Sequence, residues 1–148
     1  MTDNSPATIK SRHIATLNVR IGAQLQVGPV PVGIRLAIPI TGGIVDGSVL
    51  QGEVLPGGFD YPYHRADGFS FVEARYLLKL ADGTILHVTN IGPVKTEPYL
   101  SGLTRPTIEA PEGDWNWLNT AILVGTIKDW TENDNPIGVT LEFHELFV

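Results

Sequence analysis

Four groups able to do chemistry crowd one short stretch, VLPGGFDYPYHRADG at residues 54–68: the carboxylate of Asp60, the phenols of Tyr61 and Tyr63, and the imidazole of His64. Imidazoles exchange protons near neutrality and carboxylates serve as bases once partly desolvated. His64 or a tyrosine is therefore a candidate acid and Asp60 a candidate base. Gly57 and Gly58 permit close backbone approach and Pro62 restricts the local conformations, so the stretch reads as a rim loop or lid, or else as a polar surface turn. A second group lies in FVEARYLLKL, where alternation puts Glu73, Arg75, Leu77 and Lys79 on one side of a strand and Val72, Ala74, Tyr76, Leu78 and Leu80 on the other. The charged side is either a solvated outer face or, turned inward, a buried pair. In that pair Glu73 would act as base and Arg75 would stabilise an anion.

Arg35 stands in GIRLAIPI, opposite the face shared by Ile34, Leu36, Ile38 and Ile40. If those aliphatic residues bury elsewhere, Arg35 reaches an interior and binds a developing oxyanion; if they line the interior, Arg35 is a surface charge. Asn90 ends the run ILHVTN and Asn119 follows WNWL. Both read as turn caps or as amides that orient a carbonyl. Trp117 is a candidate pocket wall and Trp115 a core or interface aromatic.

Other chemistry lacks a signature. The histidines at 13, 64, 87 and 144 form no HxH or HxxxH pair, so no metal site is expected. No GxSxG, Walker or GxGxxG motif is present, and no cofactor is expected. The absence of cysteine excludes thiolate nucleophiles and disulfides.

The elements that must hold these groups are strands. Sixteen glycines and eleven prolines interrupt the chain too often for an amphipathic helix. After a polar tail over residues 1–12, HIATLNVRI, GIRLAIPI, IVDGSVLQGEVL, FSFVEARYLLKL, ILHVTNIG, RPTIEA, AILVGTIK and IGVTLEFHELFV read as strands, with Pro39 marking an edge or bulge. Gly42-Gly43 reads as a turn, Asp82-Gly83 as a tight hairpin needing positive φ, and WNWLN as one helical turn. About eight strands joined by hairpin-like turns suit an all-β antiparallel barrel over 13–148, since closure removes exposed edges.

At 148 residues one domain is expected. A net charge of −6 argues against nucleic acid and anionic membrane surfaces. No apolar run approaches the ~18 residues a membrane helix needs, and the N-terminus carries no signal-peptide pattern. A cytoplasmic protein is expected. With 43% hydrophobic residues there is apolar surface for a pocket or a subunit interface, and a homo-oligomer is expected.

Taken in order, Gly33-x-Arg35, Gly42-Gly43, Pro56-Gly57-Gly58 with Asp60, Asp67-Gly68, Ala74-Arg75-Tyr76, Asn90-x-Gly92 and Trp117-Leu118-Asn119 resemble the domain-of-unknown-function family numbered 3237, from about His13 to Val148. The resemblance implies an eight-stranded β-barrel similar to allene oxide cyclase and dirigent-type barrels, associating as dimers to tetramers, with room for a small organic molecule. Tyr61 to His64 departs from the family pattern, so substrate choice does not carry over. The expectation is a cofactor-independent isomerase, cyclase or lyase acting by proton transfer on a small apolar or aromatic oxygenated metabolite. The alternative is a non-catalytic, ligand-binding or stereochemistry-guiding barrel.

Overall fold

Alternating apolar residues give each strand one inward face, and a closed sheet is the arrangement that buries all those faces at once. The computed structural model describes residues 2–148. Its strands are β1 (Lys10–Ile21), β2 (Leu25–Val30), β3 (Gly33–Asp46), β4 (Gly52–Val54), β5 (Gly58–Asp60), β6 (Tyr63–His64), β7 (Phe69–Leu80), β8 (Ile85–Lys95), β9 (Ser101–Glu109), β10 (Ile122–Glu132) and β11 (Asn135–Phe147). A short 3-10 helix, Asn116–Asn119, lies before β10.

The circuit runs β1, β11, β10, β9, β8, β7, then the short segments β4, β5 and β6 in succession, then β3, which pairs back onto β1. Counting β4 to β6 as one interrupted strand gives a closed eight-stranded antiparallel barrel. β2 lies outside the circuit and extends β3 as a hairpin. Pro39 falls where the partner of β3 changes from β2 at Ala37 to β1 at Ile40, so its missing N–H interrupts neither ladder.

Several boundaries differ from the sequence expectation. The 54–68 stretch is part of the wall: Gly58–Asp60 and Tyr63–His64 each bridge β3 to β7. Gly42-Gly43 does not turn the chain but sits inside β3, where Gly43 (φ 153°) meets β1 so closely that a Cβ would lie 2.3 Å from the Asn18 carbonyl oxygen. The turn falls instead after Asp46, and β4 is the remnant of the strand expected there. In the β7–β8 hairpin only Gly83 takes positive φ (92°); Asp82 caps the turn, accepting from the Thr84 N–H at 2.9 Å. The β10–β11 turn has two left-handed residues, Asn133 and Asp134. β1 begins at Lys10, inside the stretch expected to be tail.

The interior is divided along its length. At the end where β7 finishes, Ile14, Leu50, Leu78, Leu86, Leu118 and Phe143 are fully or almost fully buried in one cluster. Leu118 comes from the 3-10 turn, and Trp115 beside it donates its indole N–H to Asp82 in the β7–β8 hairpin at 2.8 Å. The turn is thereby fixed over that end. The opposite half is hollow.

Candidate active site

A cavity of about 300 Å³ occupies the half of the barrel where β7 begins. Its mouth is ringed by Gln24, Thr96, Leu100, Asp129 and Pro136. One wall is aliphatic, with Val19 from β1, Ile127 from β10, and Val139 and Leu141 from β11. The facing wall, built by β5 to β8, carries the polar groups Asp60, His64, Ser70, Tyr76 and Asn90.

Register explains that grouping. Asp60 lies opposite Ala74 on β7, and Ala74 lies opposite Asn90 on β8, so the small Ala74 leaves room between a carboxylate and an amide. Tyr76 projects from the same face two residues deeper. Nearer the mouth His64 pairs with Ser70, and its Nδ1 is hydrogen-bonded to the Ser70 hydroxyl. Four residues of strand separate Ser70 from Ala74, roughly 13 Å at ~3.3 Å per residue. The His64–Ser70 pair and the Asp60 cluster therefore flank the cavity instead of touching.

Burial pushes the Asp60 carboxyl up to about 6; the Glu73 N–H, donated to Oδ1 at 2.9 Å, opposes the shift, while the charge of Glu73 adds to it. Burial, with the Asp60 charge beside it, also raises the Tyr76 phenol far above the usual phenol range, so Tyr76 keeps its proton. Tyr76 and Asn90 are almost wholly buried, yet the Tyr76 hydroxyl and the Asn90 Oδ1 have no hydrogen-bond partner among the described residues. Buried polar groups are rarely left so, and both of these belong to side chains lining a hollow.

The residues expected to form the site divide into three groups. Asp60, His64 and Asn90 line the cavity. Arg35, Tyr61, Tyr63, Glu73 and Arg75 lie on the outer side of the wall, because Leu36, Ile38 and Ile40, together with Val72, Ala74 and Tyr76, take the inward parity. The placement of Glu73, Arg75 and Arg35 at the site is thus corrected: of the two orientations open to each, the outward one is found, because the inward positions of β3 and β7 are mostly apolar. Trp117 and Asn119 belong to the 3-10 turn at the filled end, away from the cavity. Trp117 lies under the Arg12 guanidinium, 5.3 Å from its ring centre. Asn119 is held by Ala110, donating to its carbonyl and accepting from its N–H, each at 2.9 Å. That is a turn cap, and neither residue walls the cavity.

The outer residues are joined to the inner ones through the wall. Arg35 donates to the Tyr61 carbonyl at 2.7 Å and to Glu73 at 3.3 Å, and its guanidinium lies 4.9 Å from the Tyr63 ring centre. The Tyr61 N–H donates to the Glu73 carbonyl at 3.1 Å. These contacts span the break between β5 and β6, and the Glu73 N–H inside the same loop of bonds holds Asp60. Arg75 instead borders a smaller outer depression, with Pro56 and His87.

Sequence reasoning missed Ser70 and Tyr76. Both share the parity of Val72 and Ala74, so the signal was present as a polar atom on an otherwise apolar face.

The family described as "Protein of unknown function (DUF3237)" matches residues 9–146. The chain belongs to that family. It is 31% identical over 134 residues to a UPF0311 protein of Rhodopseudomonas palustris, covering 80% of this chain and 88% of the relative. A crystal structure of a β-barrel-like protein from Acinetobacter baumannii superposes with a TM-score of 0.86 at 23% identity, covering 98% of this chain and all of that one, which shows the shared barrel. The chain is also similar to a hydroalkoxylation enzyme of Penicillium herquei, 33% identical over 93 residues, 63% of this chain and 57% of that protein. Among the described residues no helix is long and apolar enough to cross a membrane.

Proposed function

We propose that this DUF3237 barrel is an acid–base enzyme that cyclises or isomerises a small, largely apolar or aromatic oxygenated metabolite. The observation that carries the reading is a carboxylate pushed up to about 6 inside a mostly aliphatic cavity, beside a phenol and an amide with unmet hydrogen-bonding capacity. Asp60 is ionised at neutral pH, and its raised pKa makes it a stronger base than an exposed aspartate. It takes the proton from a substrate hydroxyl or an acidic C–H. The Tyr76 hydroxyl donates to the oxygen that gains charge and steadies it. The proton that Asp60 takes passes to carbon directly or by way of the Tyr76 hydroxyl, the carbon–carbon π bond being the bond broken, so Asp60 ends the cycle ionised again.

Such a reaction balances without an oxidant or reductant: one proton leaves oxygen, a C–O bond forms, and one proton arrives at carbon. Hydroalkoxylation, the addition of an O–H across a carbon–carbon double bond, is chemistry of this kind. The distant relative named for that activity supports the reading. The test is incubation with a panel of ortho-alkenyl phenols, following loss of the phenol absorbance. Turnover is expected to rise with pH through about 6, and Asp60→Asn to lower it by roughly 10²-fold or more. Equal turnover by Asp60→Asn, or saturating phenol binding with no turnover by the parent protein, contradicts it; the second outcome describes a binding barrel.

A further inference from the structure

We infer that the cavity selects neutral hydroxylated ligands, a phenol, enol or alcohol, over carboxylates and phosphates of the same skeleton. This rests on the reading of the cavity as the substrate site, and it adds the substrate's charge and its polar handle.

The inference comes from the distribution of charge across the wall. Among the described residues lining the cavity, the carboxylates are Asp60 and Asp129, and no lysine or arginine takes part. The arginines next in sequence to cavity residues, Arg20, Arg35, Arg65 and Arg75, are not among its lining: Arg20 lies over the Trp130 ring at 4.9 Å, Arg35 is engaged by Tyr61 and Glu73, Arg65 pairs with Asp67 at 2.6 Å, and Arg75 faces outward. The imidazole that does reach the cavity, His64, is engaged through Nδ1 with Ser70 near the mouth. An anion entering the hollow would lose its hydration, meet no guanidinium or ammonium, and lie against the charge of Asp60.

A hydroxyl meets the opposite situation. It accepts from the Tyr76 hydroxyl and donates its one proton either to the Asp60 carboxylate or to the Asn90 Oδ1; in the second case both unpartnered groups are satisfied at once. A bond to an ionised carboxylate is among the stronger kinds. The remainder of the ligand lies against Val19, Ile127, Val139 and Leu141, which offer only apolar contact. Polar groups on one wall and aliphatic ones on the other also fix the ligand's orientation, hydroxyl toward β5–β8.

The experiment is titration calorimetry on the full chain at a pH of about 8 with three probes that share one ring system: a naphthol, the matching naphthoate and the matching methylnaphthalene. The naphthol is expected to bind at least tenfold more tightly than the naphthoate and several-fold more tightly than the hydrocarbon. Tyr76→Phe, which keeps the ring, is expected to weaken the naphthol several-fold and to leave the hydrocarbon unchanged. Asp60→Asn is expected to narrow the gap between naphthol and naphthoate by relieving the like charge. Equal or tighter binding of the naphthoate overturns the inference, and so does failure of the naphthol to bind. Because a naphthol has no alkene to add across, binding is read apart from catalysis. Naphthol preference without turnover of alkenyl phenols sinks the enzymatic reading and leaves the selectivity standing.

Discussion

Asp60 sits between two demands. The cavity strips water from its carboxylate, and the backbone N–H groups of Glu73 and Tyr61 offset that loss only in part, so the proton stays until about pH 6 against 3.8 for an ordinary aspartate. A group whose folded pKa is raised binds more protons folded than unfolded between the two values. Stability then falls as pH rises through that window, by up to about 3 kcal/mol once both values are passed. Asp60→Asn keeps an acceptor for the Glu73 N–H and removes the charge. Urea unfolding is expected to show the variant matching the parent below a pH of about 4 and exceeding it by up to about 3 kcal/mol near pH 8. A variant no more stable than the parent at the higher pH contradicts a desolvated carboxylate.

Among the elements, β3 decides whether the sheet closes. Its first half pairs with β2 and its second half with β1, and the seam at Gly43 requires a backbone approach that no side chain tolerates. Gly43→Ala places a Cβ 2.3 Å from the Asn18 carbonyl oxygen at a φ of 153°. It is expected to cost at least about 2 kcal/mol in chemical unfolding, whereas Gly83→Asn in the exposed hairpin, where a Cβ meets nothing within 4 Å, costs less than about 1 kcal/mol. Equal losses at the two positions would remove the seam argument. The barrel, the β7–β8 hairpin and the gathering of charge on one face of β7 were legible because alternation over a dozen residues leaves few other readings. Alternation could not say which parity of β3 and β7 points inward, since both faces carry apolar residues. The wall segment 58–64 was hidden for a different reason. Two- and three-residue strands broken by Pro62 carry no period, and it takes the long-range partners β3 and β7 to make them strands. Asp60 and His64 were recognisable as residue types, but only that pairing places them inside.

For the whole molecule, the division of the barrel into a filled half and a hollow half ties stability to function. Leu118 and its neighbours close one end with apolar packing, which leaves the other half free to keep unpartnered polar atoms that a continuous core would not tolerate. The outer clamp of Arg35, Tyr61 and Glu73 lets a broken strand serve as a rigid wall, so the base rests on a sheet and not on a loop. The central claim is that Asp60 is a desolvated base facing the ligand space. The most direct measurement is the carbon-13 chemical shift of its carboxyl group followed against pH, identified by its loss in Asp60→Asn, with and without a bound naphthol. A midpoint near 6 is expected in the free protein, and a displaced midpoint when the naphthol is bound. A midpoint near 3.8, or one indifferent to the bound phenol, would contradict that claim.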